Sequence, residues 1–210
     1  MSGGLVLRYC EKCGASIRFD NADFCPFCGA KIPPAIPRLS KEKRVLIFFG
    51  VLLLSIFFTF IGLMECIPLA EAQNIRERYA AIDEFMLDIG IPYIFGNNLI
   101  ICLFMFIPLL GLINGFFVLY RTGRVIATLS IYSGVDPLVT YSILWTEYLH
   151  TSLEYIASAL ALSEGIILSY YLLRYKWRGL KLEAKNVPII LSCCVLILFF
   201  AAIMEVAAII

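Results

Sequence analysis

The first apolar run, Val45 to Ile67, is long enough to cross a bilayer, which takes about 20 residues of helix. Backbone amides within such a run find no water to bond, so the segment has to satisfy them internally as a helix. Further apolar runs recur toward the C-terminus. Hydrophobic residues make up 61% of the 210 residues, and the mean hydropathy is +0.88. This composition excludes an ordinary soluble domain and predicts an all-α polytopic membrane bundle. The stretch ahead of Val45 is polar, so no secretory signal is read there and the first run is expected to stay as an uncleaved anchor.

Five segments are expected to cross: Val45 to about Ile67, Asn97 to Tyr120, Val125 to Leu149, His150 to Leu173, and Val187 to Ile210. The third is interrupted by Gly134-Val135-Asp136-Pro137 and is expected to form one broken or re-entrant helix. Residues 68–92 place Ile75, Tyr79, Ile82, Phe85, Met86 and Ile89 at helical spacing, with Arg76, Glu77, Asp83, Glu84 and Asp88 opposite. That pattern predicts an amphipathic helix on the outer membrane surface, or a cap over the bundle. No internal repeat is visible, so an inverted-repeat transporter has no direct support.

Ahead of the membrane part stand Cys10-Glu11-Lys12-Cys13-Gly14 and Cys25-Pro26-Phe27-Cys28-Gly29. Two C-x-x-C knuckles supply four thiolates, enough to hold one structural Zn²⁺ per chain at about 2.3 Å and leave no open position for catalysis. Tyr9 to Lys31 resembles the short zinc-ribbon family. The interval between knuckles is much shorter than in rubredoxins, which favours zinc over iron. Arg8, Lys12, Arg18 and Lys31 are balanced by Glu11, Asp20 and Asp23, so there is no basic stripe and no nucleic-acid partner is expected. The ribbon is read as structural, or as a docking surface. Cys66, Cys102, Cys193 and Cys194 lie in apolar surroundings and read as small packing residues.

The expected organisation is a cytosolic zinc ribbon (1–32), a Pro-rich and basic linker (33–44) and a helical membrane domain (45–210). Metal thiolates imply a reducing compartment. Arg38, Lys41, Lys43 and Arg44 precede the first span, Arg121 and Arg124 follow the second, and Arg174, Lys176, Arg178, Lys181 and Lys185 follow the fourth. The positive-inside rule puts all of them on the cytosolic side. Both arguments give a multi-pass protein of the plasma membrane with a cytosolic N-terminus, and five crossings put the C-terminus outside.

Ionisable groups in membrane segments are costly and usually functional. Glu65, Glu147, His150, Glu154, Glu164 and Glu205 are such groups here, joined by Asn97, Asn98 and Asn114. The expected topology gathers them toward the outer leaflet as a polar pocket or a buried hydrogen-bond network. On the fourth segment His150, Glu154, Ser158, Ala161, Glu164 and Gly165 share one stripe, the pattern of a helix interface. A His-x-x-x-Glu pair can bind metal, relay protons or only hydrogen-bond.

From about Phe95 the chain resembles the stage II sporulation protein M family of integral membrane proteins. The resemblance is carried by Asn97-Asn98, Gly111 to Gly115, Thr122-Gly123, His150-Thr151-Ser152-Leu153-Glu154-Tyr155-Ile156-Ala157, and Ala201-Ala202-Ile203-Met204-Glu205. It covers roughly half of the chain, with Thr151 where the family has glycine after the histidine. It implies a helical membrane fold, glycine-bearing turns at Gly111 to Gly115 and Thr122-Gly123, and a scaffold role of the kind the sporulation member has in recruiting cell-wall-remodelling proteins.

The leading expectation is therefore a membrane scaffold whose ribbon docks a cytosolic protein. The alternative is an ion, proton or small-solute transporter or channel using the His/Glu/Asn site. An intramembrane hydrolase ranks last, because there is no second histidine and no H-E-x-x-H motif. The bilayer is one expected partner. A homodimer is another, since small residues on helix faces favour association.

Overall fold

The computed structural model describes residues 8–10, 12–17, 23–32 and 36–209. The chain divides into two compact units, Met1–Leu39 and Ser40–Ile210. In the first, β1 (Arg8–Tyr9) pairs antiparallel with β2 (Ser16–Ile17) across the first knuckle. A lone bridge joins Phe24 to Lys31 across the second. Among the described residues, Ile17 and Ile32 are the buried aliphatic residues of this small core, packed with the cysteines. Glu11, Arg18, Asp20 and the Pro33-Pro34-Ala35 linker lie outside the described residues.

The second unit is helical: α1 (Lys41–Leu63), α2 (Leu69–Ile89), α3 (Ile91–Met105), α4 (Leu110–Ser133), α5 (Pro137–Thr146), α6 (Leu149–Glu183) and α7 (Val187–Ile209). Ser40 caps α1 by accepting the Lys43 amide. Among the described residues, α1, α6 and α7 are long and apolar enough to cross a membrane. The expected count of five spans is not supported, and both misread segments have identifiable causes.

The segment 97–120 is not one helix. α3 ends at Met105, and the chain turns through Phe106-Ile107-Pro108-Leu109 before α4 begins. Proline cannot donate to the helical ladder. Leu109 takes a positive φ of 68°, and its amide is held by Ser169 Oγ at 2.8 Å. The segment 125–149 is broken where expected. Gly134 closes α4 in the left-handed region, and Asp136 caps α5 by accepting the Leu138 amide at 2.8 Å, with Pro137 in the first turn. α5 has ten residues, too few to cross. The helix expected over 68–92 is observed as α2, but the side chains of Ile82, Phe85, Met86 and Ile89 lie outside the described residues.

α6 is also not straight. Lys176 leaves helical geometry (φ 53°, ψ −146°), and the chain doubles back so closely that a Cβ on Gly179 would stand 2.6 Å from the Tyr171 carbonyl. The residues after Lys176 thus lie against the preceding turns.

Contacts fix the directions of the helices. The Phe58 and Phe116 rings stack at 4.7 Å, and Gly62 abuts Tyr120 and Arg124, so α4 runs parallel to α1. Tyr155 donates to Thr59 Oγ1 at 2.7 Å while Glu164 meets Arg44, so α6 runs antiparallel to α1. α3 follows α6, with Asn98 on Glu154 and Met105 on Gly165. α7 returns beside α6, its Cys194 thiol 3.5 Å from the Ala157 carbonyl. The central core is built from Val51, Cys102, Met105, Leu119, Leu162 and Leu198 and their neighbours. Cys102 and Cys194 pack in it as expected, whereas Cys66 and Cys193 are exposed.

The glycines of α4 serve packing. Gly111, Gly115 and Gly123 lie inside the helix, not in turns as the family resemblance implies. A Cβ on Gly123 would meet the Thr59 carbonyl oxygen at 1.9 Å, and one on Gly62 the Tyr120 carbonyl oxygen at 2.0 Å. Only hydrogen at these positions lets α1 and α4 backbones touch.

Candidate functional site

The four ribbon cysteines converge as their spacing predicts. Their sulfurs all lie within 4.8 Å of one another, with Cys10 to Cys28 at 3.5 Å and Cys13 to Cys25 at 3.7 Å, and no disulfide joins them. A tetrahedron with arms of about 2.3 Å has edges of about 3.8 Å, so the sulfurs stand where one metal ion needs them. The two knuckles repeat the same wiring. The Gly14 amide donates to the Cys10 carbonyl and the Cys10 amide to that of Ala15; Gly29, Cys25 and Ala30 do the same in the second. Each loop then closes through a glycine at φ 73° or 66°, a conformation that strains any residue with a Cβ.

The electrostatics fit a cation. Amides of Cys13 and then Lys12 point at the Cys10 sulfur and bring its thiol down to about 6. At Cys13 the Ala15 amide acts the same way but is outweighed by the Cys28, Cys10 and Cys25 sulfurs and by burial, which push it up to about 12. Four thiolates this close repel one another until a cation sits among them.

The expected polar site of the membrane unit divides into three groups. The first is a cavity of about 540 Å³ lined by Asn97, Asn98, Glu154 and Glu205, as expected, together with Arg121, Thr122, Tyr79, Tyr93 and aliphatic residues. Asn98 Nδ2 donates to Glu154 Oε1 at 2.5 Å, and Asn97 stands 3.5 Å from the Asn98 amide oxygen. Glu205 is close enough to Glu154 for their charges to interact. Of the expected residues, α3 supplies the amides, α6 and α7 the carboxylates.

The second group corrects the placement of Glu164. It lies ten residues beyond Glu154, about 15 Å along the helix, at the end of the bundle where α1 begins. There Arg44 pairs with Glu164 at 3.2 Å and with Glu183, brought in by the fold-back after Lys176. Asn186 Nδ2 adds a bond to Glu183 at 2.8 Å. Glu164 is 2% exposed, and its other oxygen has no partner among the described residues.

The third group corrects Glu65. It pairs with Arg124 at 3.2 Å and accepts from the Tyr120 hydroxyl, while Arg124 also meets Glu71 at 2.8 Å. Arg124 therefore stands at the end of α1 opposite Arg44, not beside the basic residues with which it was grouped. Glu147 is exposed at the C-cap of α5, and His150 is half-buried with its ring edge-on to Tyr148 at 5.5 Å; neither lines the cavity. Asn114 is exposed on α4.

Arg44, Glu183, Arg121 and Arg124 are the participants that the sequence pattern did not mark. Arg44, Arg121 and Arg124 were read as topology charges and Glu183 was not singled out, because the groups each one faces lie on other helices. No protein-family model, no curated protein and no solved structure matches this chain.

Proposed function

We propose that the protein is a membrane-anchored scaffold of the stage II sporulation protein M type, whose zinc-loaded ribbon docks a protein partner in the cytosol. The observation that carries this reading is the closed four-cysteine centre and what surrounds it. With all four ligand positions protein-supplied there is no place for a substrate on the metal. Yet the second knuckle holds Phe24 and Phe27 largely in solvent, 61% and 72% exposed. Rigid aromatic side chains beside a metal-fixed turn are suited to anchoring a partner.

The orientation follows from charge. α1 and α7 both start at the Arg44 end, where Lys41 and Lys43 also lie and to which the fold-back beyond Lys176 returns. Placing that end in the cytosol agrees with the positive-inside rule and with reduced thiolates, although Arg121 and Arg124 then face outward. Three crossings by α1, α6 and α7 leave the C-terminus outside.

The test is proximity labelling in cells, comparing the intact protein with Cys25→Ser and with a form lacking residues 1–34. Loss of the same associated protein in both supports docking. An unchanged set of neighbours refutes it. A second reading, passage of an ion or small solute, is favoured by the polar cavity at Glu154 and Glu205. It requires flux in reconstituted vesicles that Glu154→Gln abolishes, and vesicles without flux count against it.

A further inference from the structure

The cavity at the far end of the bundle carries charges of both signs, and their arrangement points to a particular ligand class. Glu154 of α6 and Glu205 of α7 supply two carboxylates on neighbouring helices. Asn98 occupies one oxygen of Glu154 but brings no charge, so the carboxylates are not neutralised by the amides around them. Arg121 and Thr122 come from α4, and Arg121 makes no ion pair among the described residues. Its neighbour by one turn, Arg124, is paired with Glu65 and Glu71. The cavity thus brings together a guanidinium and two carboxylates that, among the described residues, form no ion pair with one another. Ile94, Ile101 and Val118 give it an apolar wall, and Tyr79, Tyr93 and Asn97 complete the lining among the described residues. About 540 Å³ is far more than a bare ion fills and lies in the range of small-molecule sites.

We propose that this cavity binds a dipolar head group, with a primary ammonium held by Glu154 and Glu205 and a phosphate or carboxylate on Arg121. An ammonium has three donors to distribute over two carboxylates, and a guanidinium presents a planar fork to an oxyanion. The apolar wall accommodates the linker between the two charges. The ligand chemistry is shared by an ethanolamine phospholipid and by a free zwitterion such as phosphoethanolamine. The inference uses the cavity of the second functional reading as a binding site and needs no transport, so absence of flux with retained binding separates the two.

The experiment is calorimetric titration of the full chain in detergent with dihexanoyl phosphatidylethanolamine, dihexanoyl phosphatidylcholine, phosphoethanolamine and ethanolamine. Phosphatidylethanolamine is expected to bind at least about tenfold more tightly than phosphatidylcholine, whose trimethylammonium donates no hydrogen bond; tenfold corresponds to about 1.4 kcal/mol. Arg121→Gln, at an exposed position, is expected to weaken phosphatidylethanolamine at least about tenfold and to leave ethanolamine unweakened. Glu205→Gln is expected to weaken both, with its thermal melt confirming that it folds. Phosphoethanolamine binding as tightly as the lipid supports a free solute as the source, and much weaker binding supports the lipid. Equal affinity for the two lipids, an unchanged Arg121→Gln, or no binding of any probe overturns the proposal.

Discussion

Replacing Gly123 with alanine puts a methyl group where the α1 backbone already is. The new Cβ would stand 1.9 Å from the Thr59 carbonyl oxygen, 2.7 Å from the Leu63 nitrogen and 2.9 Å from the Thr59 carbonyl carbon. All three are main-chain atoms, so no side-chain rotation relieves the clash. Ordinary contact begins near 3.4 Å, which requires the helices to part by about 1.5 Å at their closest point. Overpacking of this kind costs about 1–3 kcal/mol, and the rigid backbone on both sides puts this site at about 3 kcal/mol. The gain in helix propensity from glycine to alanine offsets at most about 1 kcal/mol. A net loss of about 2 kcal/mol lowers Tm by roughly 4–8 °C in a chain of this size. The assay is a thermal melt of the purified protein in detergent. Gly50→Ala in α1 is the matched control, because a Cβ there meets nothing within 4 Å, and it is expected to be neutral or slightly stabilising. If Gly123→Ala melts with Gly50→Ala, the close α1–α4 crossing is not a feature of the folded protein and the reasoning fails.

Arg44→Ala strands two buried carboxylates and is expected to cost about 3 kcal/mol, the low end for a broken buried pair because the arginine is a quarter exposed. Adding Glu164→Gln to Arg44→Ala should recover part of that loss, which a double-mutant cycle of melting curves would measure; additivity would mean the pair does not interact. Cys25→Ser or Cys28→Ser should reduce bound zinc from about one ion per chain to near zero by elemental analysis. Retained stoichiometry would place the metal elsewhere. Acidification from about pH 8 to 5 should release the ion into a colorimetric chelator, because protons compete for the thiolates and affinity falls as pH falls. Ser169→Ala removes the partner of the Leu109 amide and is expected to cost about 1–3 kcal/mol in the same melting assay.

The ribbon was legible because everything it needs is local. The interval between cysteines and the glycine after each pair specify the knuckles, and the sulfurs meet with little help from distant residues. The break after Ser133 was legible for the same reason, since Gly134, Asp136 and Pro137 each have one conformational role there. The turn at Pro108 was not, because a proline inside an apolar run also fits a kinked span, and the Ser169 bond that helps hold this one as a hairpin comes from another helix. Nor was the reversal at Lys176, where a non-glycine residue takes the positive φ.

Helical periodicity placed His150, Glu154 and Glu164 on one stripe; Glu154 and Glu164 meet partners from other helices, whereas the His150 ring stands against Tyr148. Periodicity carries no information on what opposes each turn of that face. Arg44 is 120 residues from Glu164 along the chain, and Asn98 is 56 from Glu154. Sequence alone therefore determined the clustering of the four ribbon cysteines and the apolar character of α1, α6 and α7. The tertiary structure decided which counter-charge meets which carboxylate, because that depends on helix direction and register, and these are set by close backbone contacts at Gly62, Gly123 and Gly165.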